Sequence, residues 1–444
     1  MEPSDHLFRR ESGRMVAALT RIFGIHNLAL AEDVVQEAFC RALEVWQLRG
    51  VPENPSAWLM ATAKNVALDT LRRQRTARTF APDLGQMLQS EWTLAPVVAE
   101  LFAPNAIKDD LLRMMFSCCL PRLPEETQVA LVLHILCGFS VSEIASAFVS
   151  TETSIEKRIT RAKKVLAKSK KLFDIASGTD FSARLAAVHR ALYLLFNEGY
   201  HGASADTAVH AGLCREAMRL TAILLDHSLA KTPTTYALAA LMCFDAARLP
   251  ARVDESGRLN SLFEQDRSRW DQELIAEGLM FLESSATGSE PTQYHIEAAI
   301  ACIHSRAQRP QDTEWASIVS LYDTLMTIHP SPVVALNRAI AVAQNEGPDR
   351  GLEEIRAIPD IERLATYPFY YAALGEMELR CGRYETARAH FRAALALARN
   401  PMERRFLDQR VRVCEQEETH HPQYDRFWDR SLASFKTHVE RNPK

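Results

Sequence analysis

Apolar residues recur along the chain at spacings of three and four positions, which is the periodicity of an amphipathic helix. Alternating polar and apolar runs that would indicate strands are nearly absent, and glycine and proline fall mainly between the periodic segments. We therefore predict an all-α protein. The pattern indicates two small helical units, a linker between them and a large C-terminal helical region.

The boundaries of these stretches lie where the periodicity fails. Residues 8–78 form the first helical unit, which ends in the basic run Arg72–Arg78. Residues 79–105 are poorly periodic, hold three prolines and a glycine, and are interpreted as a linker. Residues 106–171 form the second unit, which also ends in a basic run, and residues 178–444 form a helical extension.

Part of the extension follows the pattern of tetratricopeptide repeats. The matching positions are Tyr371, Gly375, Gly382, Tyr384, Ala387, Phe391, Ala394 and Pro401. A weaker copy runs from Pro332 to Ile358 and has Gly347 at its turn. We predict tetratricopeptide-like repeats over about residues 330–401, with a generic helical domain as the alternative.

The second unit contains a candidate helix-turn-helix. Its first helix is predicted over residues 139–148 and its turn over residues 149–152. Two S/T-x-x-E capping boxes open the two helices, Ser140 with Glu143 and Thr153 with Glu156. An ordinary pair of solvated amphipathic helices is the alternative interpretation.

The second helix of this motif has two different faces. Its inward stripe consists of Ile155, Ile159, Ala162 and Leu166. The opposite face consists of Ser154, Lys157, Arg158, Arg161 and Lys164, and further lysines follow at 163, 168, 170 and 171. A polar and basic face at the start of a second helix suits the major groove of DNA, where side chains reach base edges and phosphates.

The distribution of charge separates the front of the chain from the back. Residues 1–171 carry 22 Lys and Arg against 19 Asp and Glu, while the remainder carries 30 against 37. The front is too weakly basic to hold DNA by net charge alone. DNA binding therefore has to come from local basic clusters or from a larger complex.

Cysteine usage and hydropathy bear on the compartment. The nine cysteines are scattered without a C-x-x-C pair, which favours reduced, mostly buried thiols. Cys118 and Cys119 lie in an apolar run and are expected in the core. The N-terminal residues lack a signal-peptide pattern, and no apolar run is long enough to span a membrane. We expect a cytoplasmic protein without membrane contact.

The first unit carries two recognisable motifs. The segment 31–43, AEDVVQEAFCRAL, resembles the polymerase-binding helix of the sigma-70 family in its extracytoplasmic-function (ECF) group. The segment 55–73, PSAWLMATAKNVALDTLRR, resembles the promoter-melting segment of the same group. Leu123–Glu126 and the helix-turn-helix are similar to the domain that reads the −35 element. The resemblance covers about residues 8–170 and implies a sigma factor.

The resemblance also implies roles for individual residues. It implies that core RNA polymerase is contacted, at the coiled coil of its β′ clamp, by Asp33, Gln36, Glu37 and Phe39. Asn65 aligns with a residue that lies in a loop of such proteins and holds a flipped base of the −10 element. Other −10 contacts fall to Asp69, Arg72, Arg73 and Arg75, and Arg78 would also track phosphates. The second unit would read the −35 element and meet the polymerase β flap.

Several of these residues have a simpler interpretation. Phe39 is either an interface anchor or a core residue, and Trp58 is expected to pack in the core. The arginine run at 72–78 is either a phosphate track or a solvated helix end.

Minimal members of the family end after the second DNA-binding unit, whereas this chain continues for a long extension. It resembles the ECF subgroup with a tetratricopeptide-like extension, through segments 193–200 and 265–270. An extension of this kind implies that a membrane anti-sigma factor need not be the regulator. We expect the extension to pack on or between the front units, to modulate activity and to offer a site for a regulatory protein or ligand.

No motif for catalysis, a cofactor or a metal is present in the sequence, so we expect neither an enzyme nor a cofactor protein. His420 and His421 are interpreted as surface residues. The polar segment 197–201 is open to three interpretations, namely a helix cap, an interdomain contact or a small-ligand site.

Three functions compete at this stage. The first is a sigma factor that binds core polymerase and promoter DNA. The second is a helix-turn-helix regulator that binds duplex DNA without polymerase. The third is a repeat adaptor whose front half has lost its function, and the presence of Asn65 and the arginine run disfavours it.

Overall fold

The computed structural model describes residues 2–77, 109–148, 150–168, 178–201, 211–254, 259–288, 290–398 and 401–420. These residues are helical, with short connections and one isolated antiparallel bridge between Val253 and Leu259. The all-α prediction is confirmed. The predicted linker at 79–105, and with it Arg78, lies outside the described residues, as do Lys170, Lys171 and His421.

The chain packs as two compact units. The first comprises Met1–Gly199 and His210–Ala239, and the second comprises Tyr200–Val209 and Ala240–Lys444. The helices of the first unit are α1 (Glu2–Phe23), α2 (Leu28–Arg49), α3 (Pro55–Ala77), α4 (Asp110–Cys118), α5 (Glu125–Leu136), α6 (Val141–Ala147), α7 (Glu152–Ala167), most of α8 (Gly178–His201), α9 (Ala211–Asp226) and the start of α10 (Pro233–Ala247).

Helices α1 to α3 pack through apolar residues spaced by three or four positions. The buried residues of this core include Met15, Val16, Leu19, Val34, Val35, Ala38, Leu59, Ala63 and Ala67. Gly50 follows α2 with a φ of 81°, a left-handed conformation that glycine adopts without steric cost. The sequence periodicity thus defines one buried face on each helix.

Helix α1 also packs closely on α5 of the second predicted helical unit. Gly13 is buried at this crossing, and a Cβ atom added there would lie 1.7 Å from the carbonyl oxygen of Leu136. No side chain larger than hydrogen fits at that distance. The two predicted front units are therefore in direct contact.

The second unit continues the helical pattern. Its helices are the end of α10, α11 (Leu249–Arg252), α12 (Gln272–Ser285), α13 (Gln293–Arg306), α14 (Trp315–Ile328), α15 (Pro332–Glu346), α16 (Pro348–Arg356), α17 (Pro368–Arg380), α18 (Tyr384–Ala396) and α19 (Pro401–His420). Helix α15 is opened by Ser331, whose hydroxyl accepts the amide of Val334 at 3.2 Å, with Pro332 in the first turn.

The two segments with a repeat pattern form helix pairs. Gly347 separates α15 from α16 with a φ of 105°, and Gly382 separates α17 from α18 with a φ of 73°. Gly375 of α17 lies against the ring of Phe391 on α18, because a Cβ atom there would come within 2.8 Å of the ring. The helix pairs were predicted correctly. Their tetratricopeptide character stays a prediction.

Candidate nucleic-acid and polymerase interface

Helix α2 presents a polar face to solvent. Asp33, Gln36 and Glu37 are exposed, while Val34, Val35 and Ala38 on the opposite side are buried. Glu37 accepts a hydrogen bond from Arg41 Nε at 2.8 Å, one turn further along the helix. The three predicted polymerase-binding polar residues thus share one accessible surface.

The two aromatic residues near this face are packed. Phe39 is 9% exposed, so it fits the core alternative better than the interface anchor. Trp58 is half-buried and meets Trp46 edge to face, with ring centroids 5.5 Å apart. The expectation that Trp58 packs in the core of the first unit agrees with this contact.

Asn65 does not lie in a loop. It sits in the middle of α3, which continues without interruption because no glycine or proline follows Pro55 within it. Asn65 and Asp69 are both exposed and are one turn apart on the same side of the helix. The expected loop position of Asn65 is therefore wrong, and any contact with a base has to come from a helix surface.

The basic run that follows is partly described. Arg72, Arg73 and Arg75 belong to the last turns of α3, which extends the helix axis beyond Asp69.

The two helices of the helix-turn-helix begin at different kinds of cap. Before α6, the amide of Ser140 donates to Glu143 Oε2 at 2.7 Å and the amide of Glu143 donates to Ser140 Oγ at 3.2 Å, which confirms the predicted capping box. The second box is wrong. Helix α7 is capped by Thr151, whose hydroxyl accepts the amide of Ser154 at 3.3 Å, because the helix starts at Glu152 rather than after Thr153.

Helix α7 has the two predicted faces. Ile155, Ile159, Ala162 and Leu166 are buried. Lys157, Arg161 and Lys164 are exposed, and Ser154 is half-buried. Arg158 differs from the other cations of this face, because its Nη1 donates to Glu126 of α5 at 2.5 Å. Three exposed cations therefore remain on the predicted reading face, beside one arginine held in an ion pair.

A second ion pair joins α7 to α2. Lys163 Nζ donates to Glu32 Oε1 at 2.8 Å, and both side chains are partly buried. Glu32 immediately precedes Asp33, the first of the predicted polymerase-binding residues. The helix that carries the candidate DNA-reading face is thus tied to the helix that carries the candidate polymerase-binding face.

A third set of contacts involves the extension. Glu216 of α9 accepts Arg14 Nη2 of α1 at 3.0 Å and the guanidinium of Arg219 at 2.9 Å. Arg219 also donates to Asp109 Oδ2 at 2.9 Å, and the Asp109 side chain caps α4. Burial raises the pKa of Glu216, but the hydrogen bonds and charges of Arg219 and Arg14 outweigh it, and the net pKa is below its ordinary value.

Helix α8 contributes a buried contact of its own. Arg184 Nη1 donates to the carbonyl oxygen of Phe116 at 2.9 Å, and Phe116 stacks on Phe181 with ring centroids 4.7 Å apart. The contacts of α8 and α9 connect residues that lie far apart in the chain, 68 positions for Arg184 and Phe116 and 202 for Arg14 and Glu216. None of these contacts is predictable from the sequence, since no local pattern marks a partner at such a distance.

Three cysteines at the C-terminal ends of α4 and α5 are buried. Cys118 and Cys119 are fully buried, as expected, and burial raises the pKa of Cys119 and of Cys137 to about 12. Within the described ranges, no group of histidine, cysteine and carboxylate side chains is arranged to hold a metal ion. No helix among the described residues is long and apolar enough to cross a membrane.

Family models match three parts of the chain. Residues 7–77 match Sigma-70 region 2 and residues 113–166 match Sigma-70, region 4. Residues 184–286 match a family of unknown function, DUF6596. No solved structure matches the chain.

The similar proteins fall into two kinds. An uncharacterized protein, R00370, of Rhizobium meliloti (strain 1021) is 39% identical over 392 residues, which cover 88% of this chain and 91% of that protein. The RNA polymerase sigma factor CarQ of Myxococcus xanthus is 34% identical over 145 residues, 32% of this chain and 74% of CarQ. A probable ECF RNA polymerase sigma factor, SigI, of Mycobacterium tuberculosis (strain ATCC 25618 / H37Rv) is 25% identical over 206 residues, 46% of this chain and 66% of SigI.

Region 2 followed by region 4, on the helices described above, defines the class, and the chain belongs to the sigma-70 family. Within that family it belongs to the ECF group, and it carries a C-terminal helical extension that includes the DUF6596 segment. The resemblance seen in the sequence is confirmed to this extent.

Proposed function

We propose that this protein is a sigma factor that binds core RNA polymerase and directs promoter recognition, promoter melting and transcription initiation. The observation that carries the proposal is the ordered pair of regions, each with its candidate binding face exposed. Asp33, Gln36 and Glu37 are accessible on region 2, and Lys157 and Arg161 are accessible on region 4.

Under this proposal α2 is the polymerase-binding element. Carboxylate and amide groups on an exposed helix suit a basic or polar surface such as the one that the family uses on the β′ clamp. Phe39 is buried, so its contribution is to hold the helix in place. Asn65 and Asp69 would meet −10 bases, with Arg72, Arg73 and Arg75 along the phosphates.

Helix α7 would read the −35 element. Lys157, Arg161 and Lys164 are exposed, and Ser154 lies in the first turn. Arg158 can reach a base only after it leaves Glu126. We therefore assign base reading first to Arg161 and regard Arg158 as a contact that forms late, when a guanine edge replaces the carboxylate.

The decisive experiment is co-purification with core polymerase followed by mapping of the transcription start sites that the reconstituted enzyme uses. A sigma factor forms a stable complex and initiates at a shared promoter sequence. A protein that binds a specific duplex tightly without polymerase, and never supports initiation, would instead be a helix-turn-helix regulator.

Arg161 gives a residue-level test. Arg161→Ala should weaken use of the cognate promoter by about 1–3 kcal/mol and relax its sequence preference if Arg161 contacts a base. If Arg161 contacts phosphate, the variant should bind all sequences more weakly to a similar extent, with a lower salt dependence. Arg412→Ala, which removes an exposed arginine of α19, is the matched control and should leave promoter use unchanged. Equal output from Arg161→Ala and wild type would remove Arg161 from the reading face.

We further propose that the extension sets the spacing of the two sigma regions. The support is the chain of ion pairs from Arg14 of α1 through Glu216 and Arg219 of α9 to Asp109 at the start of α4. Promoter elements lie at a fixed distance, so an element that holds both regions at once biases which spacings fit. The extension would thus modulate activity without an additional partner.

Glu216→Gln tests the coupling, because it removes the charge and keeps the side-chain shape. On a series of promoters that differ only in the distance between their two elements, the variant should use a broader range of spacings than wild type. Glu415→Gln, which removes a carboxylate paired with Arg392, is the control. If Glu216→Gln has the same optimal spacing and the same range of usable spacings as wild type, the coupling is refuted. If the wild-type protein supports no initiation on any promoter, the sigma proposal itself is refuted.

A further inference from the structure

A group of mostly buried arginine and aromatic side chains lies in the second unit and shares no residue with either candidate interface. It brings together the end of α8, residues 248–252 after α10, the segment 265–270 and the end of α13. Tyr200 and the segment 265–270 belong to the two segments that resemble the ECF extension. The amide of Asp271 donates to the carbonyl oxygen of Ala247 at 2.9 Å, which fixes the 265–270 segment beside the end of α10. We call this group the arginine cluster; its members are Tyr200, Arg248, Arg252, Gln265, Arg267, Trp270 and His304.

Arg267 is held firmly within the arginine cluster. Its Nη1 donates to the carbonyl oxygens of His304 at 2.9 Å and Ala307 at 2.6 Å, both at the C-terminal end of α13. Its guanidinium also lies 4.9 Å from the ring centroid of Trp270. In the described part of the chain Arg267 has no carboxylate hydrogen-bond partner, so its charge is not neutralised by an ion pair.

Arg248 brings a second cation to the same place. It is 8% exposed, forms an ion pair with Asp245, and lies 5.9 Å from the ring centroid of Tyr200. Arg252 covers the same ring at 4.2 Å, and its Nε donates to the carbonyl oxygen of Tyr200 at 3.0 Å. Burial and the charge of Arg248 lower the pKa of Arg267. Positive charge is thus in excess at this point of the fold.

Buried polar atoms without a hydrogen-bond partner concentrate in the arginine cluster. They are Arg248 Nε, Gln265 Oε1, Arg267 Nε, Trp270 Nε1 and His304 Nδ1, half of all such side-chain atoms among the described residues. Arg248, Trp270 and His304 are each more than nine-tenths buried. A buried polar group without a partner is costly, so such a concentration calls for a ligand or an ordered solvent molecule.

The chemistry of these atoms selects the ligand class. The arginine and tryptophan nitrogens can only donate hydrogen bonds, and the surrounding charge is positive. Burial, followed by the charges of Arg248 and Arg267, lowers the pKa of His304 to about 3, so its ring is neutral near neutral pH and can also donate from Nδ1. Several unpaired donors within one cluster favour an acceptor with several lone pairs, and a metal cation would be repelled.

We propose that the arginine cluster is a binding site for a small oxyanion of the phosphate class, with Arg248, Arg267 and Trp270 as its principal donors. Gln265 Oε1 is the acceptor in the set, and it suits an anion that still carries a hydroxyl, such as hydrogen phosphate. Arg252 and Arg267 are half-buried, so the site borders solvent. This proposal does not depend on promoter recognition.

The test uses the full-length protein and inorganic phosphate, with potassium chloride added to keep the ionic strength constant. Phosphate should raise the thermal unfolding temperature saturably, since a ligand that binds the folded state stabilises it. Phosphomonoesters, sulfate and succinate are run in parallel to show whether a free or an organic phosphate, or a carboxylate, fits best. If neither phosphate, a phosphomonoester nor sulfate gives a saturable shift beyond chloride, or if succinate alone does, the proposal is wrong.

Trp270→Phe locates the binding, because it removes the Nε1–H donor and keeps a ring for Arg267. The variant should bind phosphate at least tenfold more weakly. Trp58→Phe, the same exchange in the first unit, should bind phosphate as wild type does. An unchanged affinity in Trp270→Phe would place the anion elsewhere and overturn the site.

A measurement on the wild-type protein covers the case in which Trp270→Phe does not fold. In protein labelled with 15N in its six tryptophans, phosphate should shift one indole N–H signal saturably. If no indole signal moves at phosphate concentrations that stabilise the protein, Trp270 is not a donor and the proposal fails.

Discussion

The contact between α1 and α5 gives a sharp prediction, because it rests on one missing side chain. Gly13 is buried, and its added Cβ atom would lie 1.7 Å from the carbonyl oxygen of Leu136. The obstructing atom belongs to a helix backbone, which cannot rotate away as a side chain can. Gly13→Ala therefore forces the two helices apart or prevents their packing.

The size of the effect follows from the geometry. An ordinary contact of a methyl group with an oxygen needs roughly twice the available distance, and overpacking of this kind costs about 1–3 kcal/mol. Local opening of α1 and α5 should become about 5–150 times more frequent, because each 1.4 kcal/mol corresponds to a factor of about ten. Each region keeps its own core, so both should remain helical.

Hydrogen–deuterium exchange measured by mass spectrometry is the assay. Amides of α1 and α5 should exchange faster in Gly13→Ala, while amides of α15 to α18 should not change. Gly212→Ala is the matched control, because nothing lies within 4 Å of its added Cβ atom, and it should leave exchange in α1 and α5 as it is. Wild-type exchange in both helices of Gly13→Ala would show that regions 2 and 4 do not pack in this way.

Two further predictions concern the cores. Burial lowers the pKa of His189 to about 4, so the unfolded chain binds more protons than the folded chain and stability falls as pH drops below about 6.5. The loss of stability attributable to His189 is about 2 kcal/mol from pH 7 to about pH 5. Thermal unfolding of His189→Gln should therefore show a correspondingly weaker pH dependence. The same pH dependence in both proteins would contradict this. Phe391→Ala should destabilise the second unit by about 3–5 kcal/mol, whereas Phe369→Ala, at a residue 39% exposed, should cost much less in the same urea titration. Equal losses would mean that Phe391 is not the packed ring of its helix pair.

The environment of His189 also indicates its tautomer. Thr235 Oγ1 donates to the carbonyl oxygen of Ala230 at 2.5 Å, so the hydroxyl has no second proton to give. It must therefore accept at its 2.9 Å contact with His189 Nε2, which places the ring proton on Nε2. Glutamine can make the same donation without titrating, which is why it is the replacement of choice.

Local chemistry made parts of the fold predictable from the sequence. The Ser140–Glu143 box, the glycines at 347 and 382 and the inward stripe of α7 each depend on residues within one or two turns of helix. The predicted start of α7 is two residues later than the observed one, because Thr151 and Thr153 are equally good N-caps in isolation. Asn65 was expected in a loop on the strength of the family resemblance, although the sequence around it has no helix breaker.

Long-range contacts were not predictable in the same way. The Glu32–Lys163 pair and the Arg14–Glu216 pair join residues 131 and 202 positions apart, and each partner is an ordinary surface charge in its own helix. Nothing in a periodic pattern selects one carboxylate among many. The candidate binding residues could be named from the sequence, but the ion pairs that restrain two of the cations of α7 could not.

Those restrained cations affect how the protein would search for its promoter. Non-specific attraction to DNA grows with the number of cations free to meet phosphates. On α7, Glu126 occupies Arg158 and Glu32 occupies Lys163, so a random stretch of duplex has two fewer partners to attract. A guanine edge can form two hydrogen bonds with the guanidinium of Arg158 and so replace the carboxylate of Glu126. A single phosphate contact compensates less well for the loss of that ion pair. The two glutamates should therefore shorten the time spent on irrelevant DNA and leave more of the free protein available for polymerase.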